Sequence, residues 1–203
     1  MKTLSKITFL LLVGILTLST TNLFYAQVKK KRRGKFNQSI RLVKKAKSNF
    51  KEGKNEEAIK LCRDAIKANA NYPESYNQLG LIYSRIGDYD KALTNYTKFL
   101  ELSDRANNRA DIRSARSNLA AISYNRGEFD KATEHAQIAR NISDELKDKK
   151  SQARAISWLG MISKARGDYA NALIYQEQAL KINQESNDKN GLIYSNNNVG
   201  YLM

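Results

Sequence analysis

The sequence predicts an all-α protein, a right-handed α-solenoid of stacked antiparallel helix pairs, and three observations support this fold class. First, the chain matches itself at a shift of 40 residues. The matching pairs are Leu79-Gly80, Leu119-Ala120, Leu159-Gly160 and Val199-Gly200. Second, a glycine follows seven residues after each of the first three pairs. Third, the single proline, Pro73, stands where a helix start tolerates it, and the fixed period indicates a repeat array.

Each unit is expected to contain two helices that pack closely because small residues face each other. The first helix carries glycine or alanine midway along its length, and the second carries alanine near its start. The facing residues are Gly80 and Ala92, Ala120 and Ala132, and Gly160 and Ala172. A glycine is expected to end each first helix, since glycine adopts the left-handed cap conformation freely. These glycines are Gly87, Gly127 and Gly167.

These residues resemble the tetratricopeptide repeat family, whose units carry Leu-Gly, Tyr, Gly-x-Tyr or Gly-x-Phe, and alanines at fixed offsets. The second repeat matches this pattern most fully. It contains Tyr76, Leu79, Gly80, Tyr83, Gly87, Tyr89, Ala92 and Tyr96. It departs from the pattern at Phe99, where alanine is usual. The resemblance implies a helical scaffold without enzymatic activity, whose partner is a protein or a peptide.

The predicted array covers residues 39–203. A degenerate first repeat occupies 39–72, because Gly53 stands 34 residues before Gly87. Complete repeats follow at 73–106, 113–146 and 153–186, and 193–203 supplies the first helix of an incomplete repeat. The later 40-residue period is similar to the longer units of kinesin light chains, bacterial peptide-pheromone receptors and bacterial sensor proteins. We expect the additional residues, which lie in polar links, to extend the second helices.

The last predicted unit ends on Tyr-Leu-Met where a second helix is expected. Terminal repeats normally present a polar outer face, so we expect the chain to be part of a longer protein. Arrays of this length resemble the sensory halves of bacterial histidine kinases and transcription regulators. The alternative function is therefore a ligand-sensing input module whose output domain lies outside this chain.

Residues 1–26 have the pattern of a bacterial signal peptide or a membrane anchor. Two lysines precede an apolar run at 7–18, and Ala26 is a plausible cleavage position. Counted whole, 7–26 has the length needed to span a bilayer. We therefore predict an exported protein of the periplasm or cell envelope. The alternative is an inner-membrane anchor with a cytoplasmic solenoid, because the basic block that follows favours the cytoplasmic side.

The net charge of +15 is concentrated near the N-terminus. Residues 27–60 contribute +10, whereas 61–203 contribute only +3. We predict a basic linker at 27–38, with a basic patch formed by Lys29, Lys30, Lys31, Arg32, Arg33 and Lys35. Such a patch is able to contact anionic lipid headgroups or to serve as a solvated linker. Nucleic acid is disfavoured as a partner, because no interleaved aromatic or known binding motif accompanies the charges.

Residues suited to catalysis are scarce in this chain. It has one histidine, His135, and one cysteine, Cys62. It contains no Gly-x-x-x-x-Gly-Lys, no Gly-x-Gly-x-x-Gly, and no His and Cys cluster at metal-ligand spacing. We therefore expect a non-enzymatic protein with no catalytic residues, no metal and no cofactor. His135 and Cys62 are predicted to be surface or packing residues.

The binding surface is predicted on the first helices, where polar residues precede each Leu-Gly pair. They form an amide-rich ladder of Asn77, Gln78, Ser117, Asn118, Ser157, Trp158, Asn197 and Asn198. One turn further, an apolar floor is expected from Leu81, Ala121, Met161 and Tyr201. Amide side chains pair with the backbone of an extended peptide, although polar residues are also ordinary on a solvated helix face. Trp158 either packs against the neighbouring helix or anchors a ligand side chain.

Overall fold

The computed structural model describes the backbone of residues 2–200 and the side chains of residues 25–200. This part of the chain forms α-helices joined by short turns and contains no strand. The helices are α1 (Lys2–Lys51), α2 (Asn55–Ala68), α3 (Pro73–Arg85), α4 (Tyr89–Arg105), α5 (Arg109–Asn125), α6 (Phe129–Glu145), α7 (Lys149–Ala165), α8 (Tyr169–Glu185) and α9 (Lys189–Gly200). Each helix packs against the next one in the chain. The all-α solenoid is therefore confirmed.

The odd-numbered helices from α1 to α9, here called the first helices, also contact one another across repeats, as α5 does with α7 and α7 with α9. The 40-residue units owe their length to both of their helices. Second helices lengthen from 14 residues in α2 to 17 in α4, and first helices from 13 in α3 to 17 in α5. Helices α5 and α7 begin at Arg109 and Lys149, four residues before the predicted repeat starts, because Asn108 and Asp148 cap them.

One turn geometry recurs every 20 residues, alternating between glycine and other residues. Gly87, Gly127 and Gly167 end first helices with φ of 74° to 82°, as predicted. Asn107, Lys147 and Asn187 end second helices with φ of 50° to 54°. In both kinds of turn, a backbone N–H donates a hydrogen bond to the carbonyl five residues earlier. The N–H of Asp88 donates to the Tyr83 carbonyl, and that of Asn108 donates to the Ser103 carbonyl. This bond belongs to the Schellman arrangement, which satisfies carbonyl groups at a helix end.

Paired helices approach closely because a small residue on one helix faces a larger residue on the other, or two alanines face each other. A Cβ atom added at Gly80 would lie 2.8 Å from the Tyr96 ring, so glycine makes room for a large aromatic residue. A Cβ atom at Gly160 would lie 2.5 Å from Gln176 Nε2. The equivalent positions of the middle repeat are Ala120 and a second alanine, Ala136, which share one buried cluster. A larger residue on the first helix is thus matched by a smaller one on the second.

The segment predicted as a linker, 27–38, is helical and forms part of α1. It contains no proline, and its lysine, arginine and glutamine residues favour helix, which outweighs the single glycine, Gly34. Ser39 is the first buried residue of α1 in the described range, and its Oγ donates a hydrogen bond to the Ala65 carbonyl at 2.9 Å. Phe36 already contacts the Tyr72 ring edge-on at 5.5 Å. Helix α1 therefore joins the array directly, without a flexible connection.

The predicted leader, 1–26, falls mostly on residues whose side chains lie outside the described ones, so cleavage and export stay predictions. Among the residues that the structure describes, none of the helices is both long and apolar enough to cross a membrane. Tyr201, predicted to extend the apolar floor, also lies outside the described residues.

Candidate functional site

The predicted amide ladder is joined across repeats by a hydrogen bond. Asn118 Nδ2 on α5 donates to Asn77 Oδ1 on α3 at 3.0 Å. Asn77 Nδ2 in turn donates to Glu74 Oε2 at 3.1 Å. These bonds use part of the capacity of both amides, but each side chain has two donors and one acceptor oxygen. Asn118 therefore keeps a free N–H and its Oδ1 atom for another partner.

Gln78 does not belong to the accessible part of this ladder, and its role in binding stays a prediction. Its side chain is only 4% exposed. It lies on the buried stripe of α3 with Ser75, Leu79 and Ile82, at the i, i+3, i+4 and i+7 spacing of a helix face that is turned inward. Its position next to a Leu-Gly pair did not indicate this burial, because sequence position does not fix how far the helix is rotated.

A pocket of about 590 Å³ opens between first helices α7 and α9. Helix α7 contributes Arg154, Trp158 and Met161 to its lining, and α9 contributes Tyr194 and Asn198. The structure thus brings together four of the predicted residues, Ser157, Trp158, Met161 and Asn198. The other predicted residues of α3, α5 and α9 lie outside the pocket: Asn77, Leu81, Ser117, Asn118, Ala121 and Asn197.

Residues of different size occupy one position in the two repeats that flank the pocket. Trp158 packs against Tyr124 of α5, with ring centroids 5.6 Å apart and planes at 57°. It therefore occupies the groove between α5 and α7. The equivalent residue of α9 is Asn198, which is much smaller and leaves the next groove open. Trp158 consequently serves as a packing residue on one side and as pocket lining on the other.

Gln176 from second helix α8 supports this pocket from below. It is 1% exposed and crosses the space that Gly160 leaves open. Its Nε2 atom donates to the Ser157 carbonyl at 3.0 Å, and its Oε1 atom accepts from Ser157 Oγ and from Asn198 Nδ2, both at 3.2 Å. These bonds orient Ser157 and Asn198 before any ligand arrives. Gln176 was not predicted from the sequence. Its only signal there is that a polar residue stands at the position that Tyr96 and Ala136 occupy in the two preceding repeats.

The two ends of the first-helix face differ in charge. Arg154 in the pocket is exposed and has no ion-pair partner among the described side chains, and Lys150 lies 3.9 Å from Asp188. At the α3–α5 end, burial together with the neighbouring Glu74 carboxylate raises the pKa of Asp111. The α7–α9 pocket is therefore the better place for an acidic group of a ligand.

Neither the single histidine nor the single cysteine of the chain lines the pocket. Burial raises the pKa of the Cys62 thiol to about 12, so the reactive thiolate is not formed near neutral pH. Burial and the nearby Arg116 guanidinium lower the pKa of His135, whose Nδ1 atom lies 3.1 Å from Arg116 Nη1. His135 is therefore neutral at pH 7, and both side chains pack within the array.

Family comparison agrees with this architecture. Sequence profiles described as tetratricopeptide repeats match residues 71–145 and 111–185, and a further profile of the same kind matches residues 46–87. The chain is a tetratricopeptide repeat protein. Proteins of this family generally mediate protein–protein interaction, and the fold is typical of non-catalytic scaffolds. No curated protein matches the chain.

Several solved structures share the fold of this tetratricopeptide repeat protein. The crystal structure of BtubC (BKLC) from P. vanneervenii is 22% identical with a TM-score of 0.71, covering 88% of this chain and 79% of that chain. Pseudomonas aeruginosa pilF is 15% identical with a TM-score of 0.64, covering 84% and 78%. A crystal structure of MamA protein is 21% identical with a TM-score of 0.62, covering 81% and 80%. At these identities the likeness shows the fold alone.

Proposed function

We propose that this tetratricopeptide repeat protein is a non-enzymatic scaffold that binds an extended segment of a partner protein along its first helices. One bulky apolar side chain of that segment occupies the pocket between α7 and α9. The observation that carries the proposal is the pocket itself, with Trp158, Met161 and Tyr194 around a volume of about 590 Å³. Concave sites lined by aromatic and apolar groups with few polar atoms are typical of ligand binding.

Two features support recognition of a peptide backbone beside that side chain. Asn198 is held by Gln176 and Asn118 by Asn77, so both amides are oriented in the free protein. Side chains that are already ordered lose less conformational entropy on binding. The remaining N–H and oxygen atoms of these amides are suited to an extended chain, whose carbonyl and N–H groups have no internal partner.

Arg154 gives the proposed segment a charge preference. Its guanidinium lines the pocket without an acidic partner in the described part of the chain. Arginine binds carboxylates through paired hydrogen bonds, which fix direction as well as position. We therefore expect the segment to carry Asp or Glu within a few residues of its bulky apolar side chain.

The single tryptophan of the chain makes this proposal directly measurable, because Trp158 lines the pocket. Peptides selected from a random 12-residue library against the full chain should carry the expected apolar and acidic residues. Their binding should shift the emission of Trp158. Tyr194→Ala should weaken binding roughly tenfold or more, as expected for an aromatic anchor.

Tyr169→Ala is the matched control, because Tyr169 is also an exposed tyrosine but does not line the pocket. Both substitutions remove a side chain that is more than half exposed, so neither should unfold the array. The proposal is contradicted if the selected peptides bind without changing Trp158 emission, or if the two tyrosine variants bind them equally well.

A further inference from the structure

We propose that the basic start of α1 binds the surface of an anionic phospholipid bilayer. The contact is made by the basic patch, Lys29, Lys30, Lys31, Arg32, Arg33 and Lys35. This surface is separate from the peptide groove, since α1 and the α7–α9 pocket lie at opposite ends of the array. The two sites can therefore be occupied together, and the protein then holds a partner segment close to a membrane.

The charge of α1 is uncompensated. The sequence contains no Asp or Glu before Glu52. Every lysine and arginine from Lys29 to Lys51 is exposed, and in the described part of the chain only Lys47 has an ion pair, with Glu74 of α3. Charges without acidic partners leave a strong positive potential, which attracts an anionic surface.

The placement of the charges favours a diffuse anionic surface over a nucleic acid. Successive helical residues are turned by about 100°, so six cations within seven positions form a collar around α1 instead of a stripe. A helix that enters a nucleic acid groove needs cations on one side with base-contacting residues between them. Within 29–35 no Asn, Gln, Ser, Thr or aromatic side chain is interspersed among the cations. Lipid headgroups need only proximity, with each cation near the surface adding to the attraction.

The position of the collar along α1 agrees with a membrane contact. It lies before Ser39, the first buried residue of α1 in the described range, so array packing does not cover it. The apolar run at 7–18 precedes it on the same helix, and the exposed Tyr25 lies between the two. Aromatic residues and cations next to an apolar segment are typical of membrane interfaces. The collar follows Ala26, so it stays with the array whether or not residues 1–26 are removed.

The test compares sedimentation of the full chain with vesicles of phosphatidylcholine alone and with vesicles containing 30% phosphatidylglycerol. The wild-type chain should prefer the anionic vesicles, and the triple variant Lys29→Gln, Lys30→Gln, Lys31→Gln should lose roughly 100-fold of its affinity for them. Added salt should reduce the wild-type preference in the same direction. Because the apolar run is present in every protein tested, the preference for anionic vesicles isolates the charge effect.

The matched control is Lys60→Gln, Lys149→Gln, Lys181→Gln, which removes the same charge from exposed positions on α2, α7 and α8. It should keep the wild-type preference. Equal binding of both triple variants to anionic vesicles overturns the proposal. Displacement of the wild-type chain from the vesicles by single-stranded RNA at equal phosphate concentration overturns it as well, in favour of a nucleic acid partner.

Discussion

The groove between α5 and α7 and the groove between α7 and α9 are built from the same repeat, yet only the second is an open pocket. In the first, Trp158 packs against Tyr124. In the second, the equivalent residue is Asn198, and a volume of about 590 Å³ stays unfilled. The two grooves share one helix arrangement and differ in the side chain at this position. Three substitutions break or sharpen this comparison.

The largest effect is expected from closing the open groove. Asn198→Trp places at the α9 position the residue that fills the preceding groove, so peptides selected by the wild-type pocket should lose at least about 30-fold in affinity. Helical content should not change. Fluorescence polarisation of a labelled peptide is the suitable measurement, since a second tryptophan complicates intrinsic emission.

Asn196→Trp is the control for this closure, because Asn196 is exposed on the same helix, does not line the pocket and does not belong to the predicted ladder. It adds the same side chain to the same helix and should bind peptide as the wild type does. If Asn198→Trp also binds normally, the peptide does not use the pocket.

A middle-sized effect on stability is expected from Gly160→Ala. The added Cβ atom would lie 2.5 Å from Gln176 Nε2 and 3.2 Å from the Ala172 carbonyl. Such overpacking typically costs about 1–3 kcal/mol in the free energy of unfolding. The double variant Gly160→Ala, Gln176→Ala reproduces the Ala120 and Ala136 pair of the middle repeat and should recover most of the loss. Urea unfolding followed by circular dichroism measures the free energy of unfolding of both variants. A double variant no more stable than the single one would show that the clash with Gln176 is not the cause of the loss.

The smallest effect is expected from the turn before α7, the helix that the two grooves share. Lys147 adopts φ of 54°, whereas the equivalent turns use Asn107 and Asn187. The left-handed conformation is strained for lysine and tolerated by asparagine. Lys147→Asn should therefore stabilise the array by about 0.5–1 kcal/mol and raise its melting temperature by roughly 1–4 °C. Lys181→Asn, inside α8, should lower it slightly through helix propensity. A lower melting temperature for Lys147→Asn would contradict this assignment of strain.

The helix pairs could be predicted because their determinants are local in each unit. Gly87 and its equivalents end helices through a conformation that glycine adopts freely, so the residue type announces the turn. The turns at Asn107, Lys147 and Asn187 are harder to recognise in the sequence, because the residue with positive φ is not the same in all three. Their shared feature is the Asn or Asp that follows, and with it the 20-residue pattern of turns is visible in the sequence.

Contacts between repeats were harder to predict. Arg126 pairs with Asp90, and Arg166 pairs with Asp130, each across a separation of 36 residues. This separation is shorter than the 40-residue period and follows from the stacking of neighbouring turns. The acidic partners are largely exposed, so solvent screens each pair and its contribution to stability is small. Such pairs align the repeats without determining the fold.

The sequence by itself determined the all-α class, the repeat, the family and the concentration of positive charge before residue 52. These depend on residue types at fixed spacing, and spacing along a helix translates directly into a face. The tertiary structure decided that Gln78 is buried, that α1 continues through 27–38, and that Gln176 reaches beneath the pocket. Helix rotation and side-chain size across neighbouring repeats set these features, and both depend on atoms far apart in the chain.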